Sequence, residues 1–273
     1  MSTATRPTIS EVIAAVTAYA PENLQESWDN SGVQVGAADD TPCTGVLVCV
    51  DATPSTVAEA IERGCNLIVA HHPLLFRGLK RISPGENVVQ QTVIDALRAG
   101  ITIYSAHTSL DSTRGGISAR MAQMLGGKFL RPLAPTIPGA DTGLGALVSF
   151  EPAITINELM QRICHSFDSP VIRHSQGREG CTTVSLLGLC GGSGGEFIPS
   201  AIAAGCQAYL SSDIRYHDFV DYGKRIFLLD IGHFESESCS KQIFYDVICE
   251  KFANFAVWKS TTERNSIQYK YGI

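Results

Sequence analysis

Imidazole and carboxylate side chains follow three apolar stretches of this sequence, at the points where those stretches end. Residues 66–70 lead into His71 and His72, residues 101–106 lead into His107 and then Asp111, and residues 225–232 lead into His233 and then Glu237. Neutral imidazole and ionised carboxylate are good ligands for divalent transition metals. In an open α/β sheet, sites collect beyond the carboxyl ends of the strands. The sequence therefore predicts a metal site.

The tandem pair His71 and His72 is the most informative part of this pattern. A lone histidine on an apolar run is usually a structural residue, and consecutive side chains of a strand point to opposite faces. Both rings can reach one site only if the strand has ended and the chain is turning. Pro73 favours that ending, because it supplies no amide donor and restricts the residue before it.

The other three residues carry less information when each is taken alone. His233 and Glu237 are four positions apart, so a helix starting near Phe234 would place them on one face. That spacing is common by chance. Asp111 has an alternative role as a helix cap before Ser112.

Together the five residues form a stronger set, with three imidazoles and two carboxylates. Five ligands are more than one tetrahedral ion can bind. Two ions about 3.5–4 Å apart could share a carboxylate and a water molecule. With no thiolate in the set, the ligands suit zinc, iron, manganese, cobalt or nickel without choosing among them. A mononuclear site is the alternative.

Two further features could contact a phosphate-bearing molecule. A glycine-rich segment lies between a predicted strand and a predicted helix, and its candidate contact residues are Gly191, Gly192, Ser193 and Gly194. Its amides could bind phosphate at a helix N-terminus, although the G-K-[ST] of a P-loop is missing. A tight strand-to-helix turn is the alternative reading. Arg77 is a second candidate for a phosphate contact.

The order of elements indicates an α/β protein. Strands and helices alternate over the first half, which is typical of βαβ units and a largely parallel sheet. Proline and glycine crowd into residues 131–145, where we expect the chain to leave its first domain. We predict a metal-binding α/β domain from residues 1–130 plus 231–273, with a helix over 235–252, and a second α/β domain from residues 131–230.

Composition indicates which partners and which cell compartment to expect for the protein. Hydrophobic residues make up 44% and charged residues 18%, and the formal charge of −6 gives no electrostatic reason to expect a nucleic-acid partner. The nine cysteines contain no C-x-x-C pair, which indicates a reducing compartment. Residues 1–7 do not resemble a secretory signal, and no apolar run approaches the roughly 20 residues of a membrane span. We expect a soluble cytoplasmic protein.

Several segments together resemble the family of GTP cyclohydrolase I type 2 homologues, also called Nif-three-like di-metal proteins. The segments are Trp28–Gly36, Asp51–Thr53, His71–Gly78, Ala106–Asp111, and Gly232–His233 with Glu237. The resemblance implies two interlocked α/β domains with mixed sheets in the Nif-three-like fold. It also implies a toroidal homohexamer, with two divalent metal ions per chain that face an inner cavity. Their ligands would be His71, His72, Asp111, His233 and Glu237.

We therefore expect a metal-dependent hydrolase of a nucleotide-like or other phosphate-bearing small molecule, with opening of the purine ring of GTP as one candidate reaction. Two residues receive catalytic roles in this hypothesis: Glu237 as the carboxylate bridging the ions, and His107 as a proton shuttle. The alternative is a non-enzymatic metal-binding ring that acts as an adaptor, a metal-handling protein or a chaperone-like assembly.

Overall fold

The computed structural model of the chain describes residues 6–270, so Met1–Thr5, on which the expectation about a secretory signal partly rests, lies outside the described residues. The chain divides into two compact units. Unit 1 comprises the described part of Met1–Leu110 together with Ser240–Arg264, and unit 2 comprises Asp111–Cys239 with the described part of Asn265–Ile273. Each unit combines helices with a β-sheet, which confirms the predicted α/β class.

Over residues 6–270 the α-helices are α1 (Ile9–Tyr19), α2 (Pro54–Glu62), α3 (Val88–Ala99), α4 (Thr108–Ser112), α5 (Ile117–Met124), α6 (Ile156–Phe167), α7 (Ile198–Ala203), α8 (Tyr216–Tyr222), α9 (His233–Glu237) and α10 (Ser240–Lys251). Short 3₁₀ turns occur at Glu22–Leu24 and Gly195–Phe197. The strands of the same residues are β1 (Gly32–Val35), β2 (Val46–Cys49), β3 (Leu67–Ala70), β4 (Thr102–Ser105), β5 (Lys128–Arg131), β6 (Ala134–Pro135), β7 (Gly143–Leu144), β8 (Ala146–Thr155), β9 (Arg173–His174), β10 (Thr183–Ser193), β11 (Ala208–Ser212), β12 (Phe227–Asp230) and β13 (Val257–Lys259).

The sheet of unit 1 has the strand order β1-β4-β3-β2-β13. β1 is antiparallel to β4, and the other neighbouring pairs are parallel. Every residue of β2, β3 and β4 is buried, as expected for parallel strands covered on both faces. The register aligns Cys49 with Ala70 and Ala70 with Ser105, so the carboxyl ends of these three strands lie at one edge. Residues that follow the three strands therefore emerge side by side.

Local signals in the sequence define the two crossover helices of unit 1. Thr53 caps α2 with its side chain and Pro54 occupies the first turn, an order typical of helix starts. Asn87 caps α3, and Gly100 ends it with a left-handed φ of 66°. The apolar sides of both helices pack with the sheet in one buried cluster. These helices carry the chain back so that each strand ends at the same edge.

The C-terminal part of unit 1 is held by two buried carboxylates. β13 pairs in parallel with β2. Glu59 on α2 accepts hydrogen bonds from the hydroxyls of Ser260 and Thr262 at 2.7 and 2.8 Å. Glu263 accepts from the amide of Val50 at 2.9 Å. Since each carboxylate joins residues about 200 positions apart in sequence, these contacts fix the return of the chain to the first sheet.

Unit 2 contains a six-stranded mixed sheet with the order β5-β8-β10-β11-β12-β9. β10, β11 and β12 are parallel, whereas β8 is antiparallel to both β5 and β10, and β9 is antiparallel to β12. Its core includes Leu147, Tyr209 and Leu228 from three different strands. The prediction of mixed sheets is confirmed.

The unit boundaries differ from the domain boundaries that the sequence predicts, 1–130 plus 231–273 and 131–230. Residues 131–145 contain the short antiparallel hairpin of β6 and β7, in which a Cβ at Gly143 would lie 2.2 Å from the Ala134 carbonyl oxygen. β5 and β8, on either side of the hairpin, are paired with each other. The proline and glycine residues therefore mark this hairpin and its loop, and the unit boundaries fall at 110/111, 239/240 and 264/265.

The helix predicted over residues 235–252 also differs from the structure. Two helices cover this stretch, α9 and α10, with Ser238 and Cys239 between them. The unit boundary follows Cys239. Among residues 6–270, no helix has the length and apolar character needed to span a bilayer.

Candidate metal centre

Three imidazoles of unit 1 form a cluster beyond the carboxyl ends of β3 and β4. The candidate ligand atoms of His71, His72 and His107 all lie within 4.8 Å of one another. The ring centroids are 5.0 Å apart for His71 and His72, and 5.3 and 5.5 Å from these rings to His107. His71 is fully buried, and the other two are half-buried. A group of this kind could hold a metal ion.

The Nδ1 atom of each ring is engaged by an oxygen that can only accept a hydrogen bond. His71 Nδ1 donates to the Ala106 carbonyl at 3.1 Å. His72 Nδ1 donates to Asp51 Oδ1 at 2.8 Å. In the third ring, His107 Nδ1 donates to Asp29 Oδ1 at 2.8 Å. This tautomer places the ring lone pair on Nε2, so the three rings fit the known pattern of carboxylate- or carbonyl-oriented metal ligands.

Asp29 is the most strongly held of these carboxylates. Its Oδ2 accepts hydrogen bonds from both the amide and the hydroxyl of Thr108. Burial alone would raise the pKa of Asp29, but the hydrogen bonds from His107 and Thr108 outweigh it and hold the pKa of this carboxyl well below its usual range. Asp29 is therefore ionised near neutral pH and orients His107.

We expect Asp51→Asn to weaken metal binding about 10- to 100-fold, the usual effect of losing an outer carboxylate partner. The amide of asparagine has similar size but can turn a donor toward His72 Nδ1, which disfavours the tautomer with its lone pair on Nε2. Competition between the protein and a chelating dye for Zn²⁺ measures the affinity. Asp40→Asn, at an exposed position of the same unit, is the matched control. Equal affinities for the two variants would contradict this role of Asp51.

In unit 2, His233 and Glu237 form a pair at the start and end of α9. His233 Nε2 lies 3.0 Å from Glu237 Oε2, which confirms the predicted spacing of one helical turn. His233 Nδ1 donates to Asp213 Oδ2 at 2.7 Å. Burial would lower the pKa of His233, but the hydrogen bonds to Asp213 and Glu237 outweigh it and raise the pKa to about 10. Binding of a metal to this pair would therefore release a proton.

Asp111 lies in α4, half-buried, and belongs to unit 2. Its charge and that of Glu237 both act on the thiols of Cys190 and Cys239. Burial is the largest cause of the raised pKa of both thiols, and the two carboxylates add to it; the pKa of Cys239 reaches about 12. Asp111 and Glu237 thus both lie near thiols, those of Cys190 and Cys239, that stay protonated. This agrees with a metal set without thiolate.

The glycine-rich segment adopts a different structure from the predicted phosphate loop. Gly191, Gly192 and Ser193 belong to β10, and Gly194 caps a 3₁₀ turn. The amide of Gly192 donates to the Ser236 hydroxyl at 2.9 Å. The Gly191 amide lies 3.5 Å from the hydroxyl of Ser118. Because these amides are engaged within the protein, the geometry favours the structural reading of the segment, and its phosphate contact stays a prediction.

Gly192 has a specific reason to be glycine. Its φ is +65°, and a Cβ at this position would lie 2.1 Å from Glu237 Oε1. That distance is far below any van der Waals contact, so the end of β10 can approach Glu237 only without a side chain. Gly192 therefore shapes the surroundings of Glu237.

We expect Gly192→Ala to displace the Glu237 carboxylate and to lower metal affinity by about ten-fold, in the range found for supporting residues of metal sites. Gly205→Ala is the matched control, because Gly205 has a φ of +81° and no heavy atom within 4 Å of the added Cβ. Both variants carry the cost of a left-handed alanine, about 1 kcal/mol. Isothermal titration with Mn²⁺ compares them. If both variants bind Mn²⁺ as the native protein does, Gly192 has no part in positioning Glu237.

Sequence reasoning identified the imidazoles but gave no role to the carboxylates that orient them. Asp29, Asp51 and Asp213 each accept from an Nδ1 atom. Asp29 and Asp51 stand in two of the segments that carry the family resemblance, which was the available signal. Arg77 is exposed on the stretch after β3, and its contact with phosphate stays a prediction. His107 joins the imidazole cluster, a position compatible with the predicted proton transfer.

Comparison with known proteins gives consistent matches over most of the chain. A family model described as Duf34/NIF3 (NGG1p interacting factor 3) matches residues 7–266. A protein of Streptococcus pneumoniae named GTP cyclohydrolase 1 type 2 homolog is 34% identical over 228 residues, which are 82% of this chain and 84% of the relative. A protein of the same name from Clostridium acetobutylicum is 31% identical over 221 residues, 80% and 81% of the two chains. The crystal structure of a Bacillus cereus protein related to NIF3 superposes with a TM-score of 0.88 at 21% identity, covering 98% of this chain and 100% of the other.

Proposed function

Because the chain belongs to the Duf34/NIF3 family, we propose that it is a metal-dependent hydrolase of a nucleotide-like or other phosphate-bearing small molecule. The observation that carries the proposal is the cluster of three imidazoles, each with its Nδ1 engaged by an acceptor. Relatives that are 31% and 34% identical bear the name GTP cyclohydrolase 1 type 2 homolog, which supports a nucleotide as the first substrate to test.

The proposed ligands of the metal are His71, His72, Asp111, His233 and Glu237, with two divalent ions per chain. Their donor chemistry, imidazole nitrogen and carboxylate oxygen without thiolate, suits zinc, iron, manganese, cobalt or nickel. Divalent ions in such a set lower the pKa of bound water and polarise the bond under attack.

Hydrogen bonds within the protein support roles for three further carboxylates and for His107. Asp51, Asp29 and Asp213 orient the rings of His72, His107 and His233. With its Nδ1 proton held by Asp29, His107 can accept a proton at Nε2 and pass it on, as general acid–base chemistry requires. Arg77, exposed on the stretch after β3, is the proposed contact for an anionic group of the substrate.

Metal content and turnover test the proposal together. The purified protein is loaded separately with each of the five metals, the ions per chain are counted by mass spectrometry, and hydrolysis of GTP and of model phosphoesters is followed. About two ions per chain with turnover are expected. One ion per chain would favour a mononuclear site, and tight metal binding without turnover would favour the non-enzymatic ring.

The family resemblance and the cysteines support two further parts of the proposal. We propose a homohexamer, for which sedimentation analysis should give six times the mass of one chain, whereas the mass of a monomer would contradict it. We also propose a cytoplasmic location, since all nine cysteines are free thiols and six of them are buried, as suits a reducing compartment. Fractionation of cells that express the protein tests that location.

A further inference from the structure

Two large aromatic side chains of unit 1 are exposed beside the imidazole cluster. Trp28 keeps 57% of its surface accessible and Phe76 keeps 49%. Their ring centroids are 6.0 Å apart. Each ring also contacts His107, with centroid distances of 6.1 Å for Trp28 and 6.2 Å for Phe76. Single exposed apolar residues need no explanation, but a contacting pair against a candidate site points to binding.

The two aromatic residues are held in place by the segments that carry them. Asp29, directly after Trp28, is bonded to His107 and Thr108. The side-chain amide of Asn30 donates to the Leu75 carbonyl at 2.9 Å, and so joins the loop of Trp28 to the residue before Phe76. A third contact runs from the Leu75 amide to Gln34 Oε1 at 3.0 Å. The segments that carry the two rings are therefore held in place before any molecule binds, which reduces the entropy lost on binding.

The geometry of the pair selects the kind of group that it can bind. The two ring planes meet at 70°, so they cannot sandwich a third ring, but they can offer it one face for stacking and one edge. Stacking of this kind serves any flat aromatic ring. Arg77 directly follows Phe76 and is exposed, so its positive charge disfavours an organic cation here and favours a ring that carries an anionic substituent.

We propose that Trp28 and Phe76 form a stacking subsite for the planar heteroaromatic ring of the substrate, next to the imidazole cluster. The inference rests on the proposed function, because it takes the bound ring to be part of the substrate of that same site. It adds a requirement that phosphate recognition alone does not make: a nucleotide should bind more tightly than the sugar phosphate that it contains.

The protein has two tryptophans, so a single substitution leaves Trp28 as the sole tryptophan, whose emission is recorded by selective excitation of the indole. Trp258→Phe removes the other indole, which belongs to β13 and is 44% exposed. The full-length, metal-loaded variant is titrated with guanosine 5′-monophosphate, ribose 5-phosphate and tetramethylammonium chloride. The nucleotide should quench the emission of Trp28, and the two compounds without an aromatic ring should leave it unchanged.

Substitution of the second ring and calorimetry complete the test. Phe76→Ala should raise the Kd of guanosine 5′-monophosphate about ten-fold, Phe76→Tyr should restore it, and the Kd of ribose 5-phosphate should be the same in all three proteins. Trp28→Phe is the optical control, because the remaining Trp258 should not respond to the nucleotide. Calorimetric titration of the Phe76 variants needs no fluorophore, so it decides the outcome even if Trp258→Phe fails to fold.

Three results would overturn the proposal. The first is equal quenching by ribose 5-phosphate, and the second is an unchanged nucleotide Kd in Phe76→Ala. The third is an emission of Trp28 that is already that of a buried indole before any ligand is added. That emission would mean that another part of the protein, such as a second copy of the chain, covers the pair. Binding is measured here without turnover. Quenching without hydrolysis would reject the hydrolase and leave the subsite, whereas hydrolysis without quenching would reject only the subsite.

Discussion

Alanine at His71 or glutamine at Glu237 is expected to abolish hydrolysis and to lower the affinity for divalent metal by about 100-fold or more. The loss should exceed the 10- to 100-fold that follows removal of an outer partner, because a ligand itself is removed. His71 is fully buried at the end of β3, and Glu237 is 3% exposed. Neither side chain can be replaced by a neighbour or by bulk water without rearrangement of the surrounding structure.

Metal content after gel filtration, together with turnover of the loaded protein, measures the effect. His165→Ala is the matched control for the histidine, because His165 is an exposed imidazole on α6. Since His71→Ala removes a buried ring and could unfold the protein, Glu237→Gln keeps the test decisive, and circular dichroism shows which variants are folded. A folded Glu237→Gln protein with normal metal content would remove Glu237 from the ligand set.

The second large effect concerns stability: Glu59→Ala should lower the free energy of unfolding by about 3 kcal/mol, the range found when one partner of a buried charged network is removed. Glu59 is 3% exposed. It accepts from the Ser260 and Thr262 hydroxyls at 2.7 and 2.8 Å, from the Thr261 amide at 3.1 Å, and from Arg63 Nε at 2.9 Å. Alanine would leave these donors without their acceptor, and one of them, the Ser260 hydroxyl, belongs to a buried residue.

Urea denaturation measures this change in the free energy of unfolding. Glu62→Ala, on the same helix and exposed, is the control and should change stability by less than about 0.5 kcal/mol. If the two substitutions are equally mild, the contacts of Glu59 do not hold the C-terminal segment.

The shifted pKa of Glu59 predicts that the free energy of unfolding depends on pH. Burial would raise the pKa of Glu59, but hydrogen bonds from Ser260, Thr261 and Thr262 outweigh it and hold the pKa well below its usual range. Because the folded pKa is the lower one, Glu59 contributes stability above the unfolded pKa of about 4.3, and the contribution is lost as the pH falls toward the folded value. Below about pH 4 the native protein should lose stability more steeply than Glu59→Gln does. Parallel slopes would contradict this assignment.

The sequence alone was sufficient for the features that depend on neighbours along the chain. The cap of α2 by Thr53 and the end of α3 at Gly100 follow from local hydrogen bonding and from the conformational freedom of glycine. The strand that ends at the tandem histidines is recognisable because an apolar run stops at a proline. For the same reason His233 and Glu237 could be placed on one helical turn, since four residues span one turn of any α-helix.

Tertiary structure decided the features that depend on residues remote in sequence. Asp29 and His107 are 78 positions apart, and Asp213 and His233 are 20 apart, yet each pair is joined by one hydrogen bond. The requirement for glycine at position 192 exists only because Glu237 lies against it. Which strands pair, and so which loops meet, is settled by the packing of whole sheets, whose free energy no local stretch of sequence contains.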